Sequence, residues 1–496
     1  MRILYIDIDS LRPDHLSCYG YHRQTSPNID ALAAEGVRFE NVYTSDSPCL
    51  PSRTAFFGGR FGTKTGVVNH GGVYADLPPE GVNRGFRSEF SETTLASVLR
   101  RVGYHTVSVS PFPNRHTAYG VWYGFSETYD TGRGGVENAD EIYPVAKSWL
   151  ERNAQSDNWL MHVNFWDPHT PYDHPVAYGN PFAHEPISAW LEQGTLDAQN
   201  LSYGPHSATE VPGFDDQLPA GWRMGVGRVK TLEDAKAHLD GYDTGVHYAD
   251  HFVGKLAADL KDLGVFEETM IIVSADHGEN HGELNVWGDH HTADQATNRL
   301  PLIVRAPTVT GSPMGTVKKG LHYHLDLSAT LSELAGAQQP TDWDGLSFAT
   351  DLTNPSDDGR PFLVLSHGAW SCQRAVRWDR WLLIRTYHTG MKALPAYLLF
   401  DLDADPHETT NLASAHRAVL GAGLQKLDSW LAEQMPVAWR GDPLWGVMAE
   451  GGPYHARTGS REWQGYLARL ERTGRAHHAA TLEAYGGRPH ETGLGP

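Results

Sequence analysis

The chain has 496 residues, of which 40% are hydrophobic, and it contains 15 tryptophans and three cysteines. A chain of this length can bury a large core without disulfides. Its formal net charge of -20 argues against nucleic acid or an anionic membrane surface as a standing partner, because an acidic protein repels both. An anionic substrate therefore needs a local basic pocket.

Targeting signals and cysteines bear on the compartment. The first apolar run, in MRILYIDIDS, is too short for a secretion signal and is interrupted by Asp7 and Asp9. No later stretch resembles a transmembrane span. Cys18, Cys49 and Cys372 are an odd, scattered set, which is typical of reduced thiols and not of a disulfide framework. We therefore expect a cytoplasmic protein, either a monomer or a homo-oligomer.

Short apolar runs alternate with helix-like stretches through much of the chain up to residue 340. The runs are ILYIDID, VRFENVYT, YHTVSVS and residues 158–166, 269–276 and 300–307, and the helix-like stretches include PNIDALAAEG and TLASVLRRVG. This alternation predicts an α/β fold, with a large mixed, mostly parallel sheet flanked by helices. Polar residues follow several of these strands, so we expect the functional site at their carboxyl ends.

The pattern divides the chain into three parts. Residues 1–361 form the predicted catalytic domain, in which the Pro-, Gly-, Asp- and His-rich stretch 173–235 is a long excursion on the substrate side. Residues 362–436 hold three strand-like segments, FLVLSHG, AVRWDRWLLIRT and YLLFDLDADP, before a helix-like stretch. They predict a smaller antiparallel sheet plus helix. The tail, 437–496, is expected to pack on the body or on a partner subunit.

The segment SPCLPSRTAFFGGRFGTKTGV carries the most chemical information. Cys49, Pro51 and Arg53 form a Cys-x-Pro-x-Arg core, and a glycine-flanked Arg60 follows. The segment resembles the signature of the sulfatase family, in which a maturase oxidises the cysteine to formylglycine. The resemblance implies that Cys49 is the precursor of the nucleophile and that Arg53 holds it or the sulfate through its fork of donors. Taken alone, the segment also fits a buried cysteine before a helix whose arginine pairs with a carboxylate.

Two further segments resemble the metal-binding strand ends of sulfatases. In DIDSLRPDHLSCYGY, Asp9 matches the first ligand, but Ser10 stands where a second Asp, or Gln, is usual. Asp7 faces the same way as Asp9 on a strand, so it either supports the site or joins it. In SADHGENHGELNVWGDHHT, Asp276 and His277 match later ligands. The implied metal ligands are Asp9, Cys49, Asp276 and His277.

The ligand types leave the identity of the cation open. Carboxylate oxygens suit Ca²⁺ or Mg²⁺, and an imidazole also admits Mn²⁺ or Zn²⁺. By resemblance, Ca²⁺ is the first choice.

The remaining chemistry involves histidines and an arginine. His169 falls in the Pro-His-x-Pro-Tyr pattern of sulfatases, and His290 replaces their usual lysine before His-Thr. Either imidazole can protonate the leaving oxygen. The family's Gly-Lys-x-His element is missing, because residues 110–113 read Ser-Pro-Phe-Pro, but Arg115 and His116 follow and can substitute. The predicted substrate-binding residues are Arg115, His116, Asn69 and His70.

Three functions remain in competition. The resemblance implies hydrolysis of a small anionic sulfate monoester, with a sulfated sugar preferred, through a formylglycine hydrate and a divalent metal. The alternative is a phosphonate monoester or phosphodiester hydrolase, because phosphonate monoester hydrolases use the same nucleophile and also lack Gly-Lys-x-His. A third interpretation is a binding protein that keeps the fold with an unconverted Cys49.

Overall fold

The structure is a computed structural model that describes residues 1–78, 88–215, 225–309, 311, 313–354, 357–438, 440–489 and 491–494. Its strands are β1 Arg2–Ile8, β2 Val37–Tyr43, β3 Asp46–Ser47, β4 His105–Val109, β5 Glu127–Tyr129, β6 Trp159–Phe165, β7 Thr269–Ser274, β8 Asn280–His281, β9 Trp287–Asp289, β10 Arg299–Arg305, β11 Thr316–Tyr323, β12 Leu363–His367, β13 Cys372–Trp378, β14 Trp381–His388 and β15 Tyr397–Asp401. Its α-helices are α1 Pro27–Glu35, α2 Cys49–Gly58, α3 Gly62–Thr65, α4 Glu89–Thr93, α5 Leu95–Arg101, α6 Phe112–Arg115, α7 Ala139–Asn153, α8 Gln193–Gln199, α9 Leu232–Asp262, α10 Gln295–Asn298, α11 His324–Leu334, α12 Ala349–Thr353, α13 Arg417–Gln434, α14 Pro443–Ala449, α15 Arg461–Arg472 and α16 Ala476–Tyr485.

The larger sheet confirms the predicted fold class. Its strand order among the described residues is β11-β2-β10-β7-β1-β6-β4-β5, and only β10 runs antiparallel to its neighbours. Leu4 and Ile6 of the central strand enter the hydrophobic cluster with α7 and α9, while Ile3 and Tyr5 enter the cluster with α2 and α11. Because helices cover both faces, a central parallel strand is apolar on both sides, as the run in β1 indicates.

The smaller sheet has the order β15-β14-β13-β12-β3, and β12 to β15 form an antiparallel series. The helix α13 packs on it through residues that include Leu427 and Trp430. The segment AVRWDRWLLIRT, predicted as one strand-like unit, instead folds into the hairpin β13–β14. Its turn is at Asp379, where φ is 44°, a conformation that Asp tolerates better than most residues.

The strand β3 links the two sheets just before the sulfatase-like helix. It pairs in parallel with β12, so the smaller sheet takes one strand from outside residues 362–436. The predicted division of the chain into three parts stays a prediction. Within the excursion, residues 216–224 lie outside the described part of the chain.

The tail packs on the body. The hydroxyl of Tyr466 in α15 donates a hydrogen bond to Glu210 of the excursion at 2.5 Å. All three cysteines, each within the described residues, are unpaired. Across the described ranges, none of the helices combines the length and the apolar character needed to cross a bilayer.

Candidate active site

The carboxyl ends of β1 and β7 and the first turn of α2 meet at one point. The strands β1 and β7 are parallel neighbours, and Asp9 and Asp276 lie just beyond their ends. Cys49 is the first residue of α2 and is only 1% exposed. The free N–H groups at a helix start favour negative charge nearby. The fold therefore places two carboxylates and the predicted nucleophile around the same buried space.

Arg53, one turn into α2, connects three buried carboxylates. Its Nε donates to Asp7 at 2.9 Å, its Nη1 to Asp276 at 2.6 Å, and its Nη2 to Asp9 at 3.0 Å. Its guanidinium lies over the ring of Phe112, 4.3 Å from the centroid. Only a planar, forked cation can donate in three directions in this way.

The predicted metal ligands come together. One ligand atom from each of Asp9, Cys49, Asp276 and His277 lies within 4.8 Å of the other three. The Nδ1 of His277 lies 2.7 Å from the carbonyl oxygen of Gly278, so it is the protonated nitrogen. The Nε2 lone pair is therefore directed toward Cys49 Sγ, which lies 2.9 Å away.

Ser10 and Asp7 have supporting positions. The Ser10 hydroxyl donates to Asp9 at 2.9 Å, so it orients the carboxylate where a second Asp is usual. Asp7 accepts from Arg53, and its other oxygen has no hydrogen-bond partner among the described residues. Asp7 is not in the group of ligand atoms that Asp9 shares with Cys49, Asp276 and His277.

The site carries more buried negative charge than Arg53 neutralises. Burial acts to raise the pKa values of Asp7 and Asp9, but Arg53 and the neighbouring histidines together outweigh it, and the pKa of Asp7 falls to about 2. Burial raises the pKa of Asp276 to about 7, and the charges of Asp9 and Asp7 add to the rise against the opposing charge of Arg53. Three carboxylates around one guanidinium, with an imidazole lone pair beside them, fit a divalent cation.

The unmodified thiol is poorly suited to nucleophilic attack. Burial, together with the charges of Asp9 and Asp276, raises the pKa of Cys49 well above its ordinary value. The thiolate is the reactive form of cysteine, so this environment keeps Cys49 protonated and unreactive.

Three imidazoles, from His277, His290 and His169, lie close together near the carboxylates. The rings of His290 and His277 have centroids 4.2 Å apart, and those of His169 and His290 are 5.9 Å apart. His169 stacks on Trp166 at 4.1 Å, and its Nδ1 donates to the carbonyl of Thr170 at 2.6 Å, which leaves Nε2 free. Burial lowers the pKa of His169 to about 4 and that of His290 well below its ordinary value.

Arg115 and His116 follow the stretch that lacks the Gly-Lys-x-His element and lie near the site. The guanidinium of Arg115 lies 4.0 Å from the ring centroid of Trp166, and its charge acts on Cys49 and Asp9. His116 is within electrostatic range of Asp9, and burial lowers its pKa to about 3. Both side chains are therefore close enough to interact with the charges of the site, and their role in substrate binding stays a prediction.

The last two predicted residues contact the C-terminal tail. The Nδ1 of His70 lies 3.1 Å from Nε2 of His455, and the His70 and His116 rings are 5.1 Å apart. Asn69 is fully buried, and its oxygen accepts from the backbone N–H of Tyr454 at 3.2 Å. Sequence reasoning missed His455, because no local pattern links the tail to residue 70.

Comparison with known proteins gives the family. The sulfatase family model matches residues 2–337, and a second model, the C-terminal region of N-sulphoglucosamine sulphohydrolase, matches residues 282–431. The chain belongs to the sulfatase family. It is therefore an enzyme, which confirms the resemblance drawn from the Cys49 segment.

Individual relatives agree with this assignment. A choline-sulfatase of Rhizobium meliloti is 26% identical over 443 residues, covering 79% of this chain and 78% of the relative. Among solved structures, a protein in complex with its substrate D-glucosamine-2-N,6-O-disulfate has a TM-score of 0.69 at 18% identity and covers 87% of this chain and 98% of its own. The phosphonate monoester hydrolase of Agrobacterium radiobacter has a TM-score of 0.65 at 21% identity, and the match covers 87% of this chain and 96% of that enzyme. At these identities the structures show a shared fold.

Proposed function

We propose that this sulfatase-family enzyme hydrolyses a small organic sulfate monoester, with formylglycine at position 49 and a divalent cation held by position 49, Asp9, Asp276 and His277. The observation that carries the proposal is the convergence of Cys49, Arg53 and the three ligand side chains in one buried space. Ca²⁺ is the first choice, and the His277 nitrogen also suits Mn²⁺ or Zn²⁺.

A formylglycine hydrate supplies a hydroxyl nucleophile, and the bound cation supplies positive charge that favours its deprotonated form. Arg53 holds Asp9 and Asp276 in place from the side of α2. Arg115 and His116 add donors for the oxygens of an incoming sulfate. Arg115 provides the positive charge that an anionic substrate needs in a chain with a net charge of -20, and the neutral His116 adds a hydrogen-bond donor.

The two candidate acids differ in position. One nitrogen of His290 lies within 4.8 Å of Cys49 Sγ and of the His277 ligand atom, on the nucleophile side. In an in-line displacement the leaving oxygen departs on the opposite side, which favours His169 as its proton donor. The free Nε2 of His169 is neutral before binding, since burial lowers its pKa to about 4. A bound sulfate anion raises the proton affinity of a nearby imidazole.

The identity of the alcohol is open between two small groups. The choline-sulfatase relative is named for a choline ester, and the substrate in the glucosamine complex is a sulfated sugar. We favour a sulfated sugar because the excursion and its aromatic and histidine side chains provide hydrogen-bonding and stacking groups. The proposal also requires a formylglycine-generating maturase in the host and places the enzyme in the cytoplasm.

The second candidate function is hydrolysis of phosphonate monoesters or phosphodiesters. Residues 110–113 lack the lysine and histidine that many sulfatases use, as in phosphonate monoester hydrolases. The fold similarity to the Agrobacterium radiobacter enzyme supports keeping this candidate.

A substrate panel separates the two functions. Protein co-expressed with a maturase is assayed on aryl sulfates of increasing leaving-group pKa, choline sulfate, glucosamine 6-sulfate, a phosphonate monoester and a phosphodiester. We expect the highest kcat/KM on a sulfate and no activity in Cys49→Ala. We also expect kcat/KM on substrates with poor leaving groups to fall more in His169→Asn than in His290→Asn. A higher kcat/KM on the phosphodiester than on any sulfate would instead support the phosphonate monoester or phosphodiester hydrolase.

A further inference from the structure

A second group of metal-ligating side chains lies beside the candidate active site. It consists of His206, Asp289 and His291, each of which offers one ligand atom within 4.8 Å of the other two. His206 belongs to the excursion, while Asp289, the last residue of β9, and His291 flank His290. Asp289 is 13% exposed at its side chain and His291 is 4% exposed. None of the three is a predicted ligand of the first site.

The spacing of these atoms suits a small cation. His206 Nε2 lies 3.2 Å from Asp289 Oδ2, and His291 Nε2 lies 3.6 Å from Asp289 Oδ1. Bonds of about 2.0–2.1 Å in a tetrahedral site place neighbouring ligand atoms about 3.3 Å apart. The observed separations fall around that value.

The hydrogen-bond pattern leaves the Nε2 atom of His206 and the Nε2 atom of His291 available to bind a cation. The Nδ1 of His206 donates to the carbonyl of Val211 at 2.9 Å, so its neutral ring presents the Nε2 lone pair to the Asp289 carboxylate. Two acceptors that face each other at this distance need a cation or a proton between them. The Nε2 of His291 is buried and has no hydrogen-bond partner among the described residues.

The surroundings hold the three side chains in place. Trp370 stacks on the His291 ring with centroids 3.9 Å apart, which fixes the ring plane. Lys392 is the nearby protein cation, but its Nζ donates to the carbonyl of Asn285 at 3.1 Å. One of its N–H groups is thus occupied by a backbone oxygen.

We infer that His206, Asp289 and His291 form a second divalent-cation site, selective for a borderline ion such as Zn²⁺ because two of its three ligands are imidazoles. The site adjoins the catalytic region through Asp289, whose Oδ1 also lies 3.6 Å from His290 Nε2. An ion there fixes the 289–291 segment and joins the excursion to it. Its role is to position His290, and it is independent of whether the substrate is a sulfate or a phosphonate.

Cation stoichiometry tests the inference. Chelator-treated protein is dialysed against Zn²⁺, and the bound metal is measured by elemental analysis. We expect two equivalents in the wild type, and one in each of His206→Asn, His291→Asn and Asp276→Asn. Co²⁺ gives a second readout, because the visible absorption of the second site should survive Asp276→Asn and vanish in His206→Asn. The exposed His184 provides the matched control, His184→Asn, which should keep two equivalents.

The wild-type protein alone can also refute the inference. A crystal soaked in Zn²⁺ should show an anomalous peak bounded by His206, Asp289 and His291, whatever the folding of the variants. No peak at these residues, or unchanged stoichiometry in folded His206→Asn, would each overturn the second site.

Discussion

Arg53 shows how a single guanidinium can position the carboxylates of a site. Its three nitrogens hold Asp7, Asp9 and Asp276, and its burial is tolerated because each donor has a carboxylate partner. A lysine at this position could reach one or two of these carboxylates at most, because its ammonium is a single point charge.

Arg53→Lys should therefore lower kcat/KM on an aryl sulfate by about a hundredfold or more, equivalent to about 3 kcal/mol of lost transition-state stabilisation. Arg60→Lys is the matched control, since Arg60 pairs with the partly exposed Asp342 at 2.9 Å and should keep its activity. Far-UV circular dichroism checks that both variants fold. Equal activity in Arg53→Lys and wild type would contradict the assigned role.

Asp276 should make the proposed cation binding dependent on pH. Its pKa of about 7 means that the metal-free site holds a proton below neutral pH, and a cation must displace that proton. Affinity should fall by about tenfold for each pH unit below pH 7 and level off above it. Calorimetric titration with Ca²⁺ in two buffers of different ionisation enthalpy measures both the affinity and the released proton. Constant affinity from about pH 5 to pH 8 would refute this prediction.

At the level of elements, strand ends and motifs were predictable and turns were not. Apolar runs such as those of β1, β6 and β7 indicated their strands because both faces of the central sheet are covered by helices. The signature segment identified Cys49 and Arg53 through family resemblance. The hairpin β13–β14 was missed because AVRWDRWLLIRT is apolar on both sides of Asp379 and contains no Gly or Pro to mark the turn.

The group formed by His206, Asp289 and His291 could not be predicted from the sequence for a related reason. His206 is separated from Asp289 by more than eighty residues of chain, and the excursion that carries it has no periodic pattern. Only the packing of the excursion against β9 brings these residues together, and that packing is decided by tertiary contacts. The same applies to His455 beside His70.

The β13–β14 turn gives a test at this scale. Asp379 has a φ of 44°, and a β-branched residue pays a steric cost there. Asp379→Val should reduce the free energy of unfolding by about 1 to 3 kcal/mol. The midpoint of urea unfolding measures the loss, with Asp403→Val at an exposed position as the control. A change no larger than that of the control would show that the turn is not strained by the substitution.

Across the whole molecule, the tail and the excursion stabilise each other next to the site. The Tyr466 hydroxyl donates to Glu210 at 2.5 Å and accepts from the Gly204 N–H at 2.6 Å. The Nη2 atom of Arg475 donates a hydrogen bond to the other carboxylate oxygen of the buried Glu210 at 2.5 Å. This contact holds the chain segment that leads into His206.

Tyr466→Phe should cost about 1 to 3 kcal/mol, because it leaves a buried carboxylate oxygen and a backbone N–H without their partner. Thermal unfolding followed by fluorescence measures the effect, and Tyr119→Phe, at a side chain 49% exposed, is the control. If the two variants unfold at the same temperature, the tail contact does not contribute to stability.

The proposed function depends above all on the conversion of Cys49 and on its action as the nucleophile. The decisive measurement is the peptide mass of the segment containing residue 49, taken on protein co-expressed with a competent maturase and compared with its sulfatase activity. We expect the mass loss of thiol-to-aldehyde conversion, with activity proportional to the converted fraction and absent from Cys49→Ala. A Cys49 that remains a thiol in active protein would contradict it.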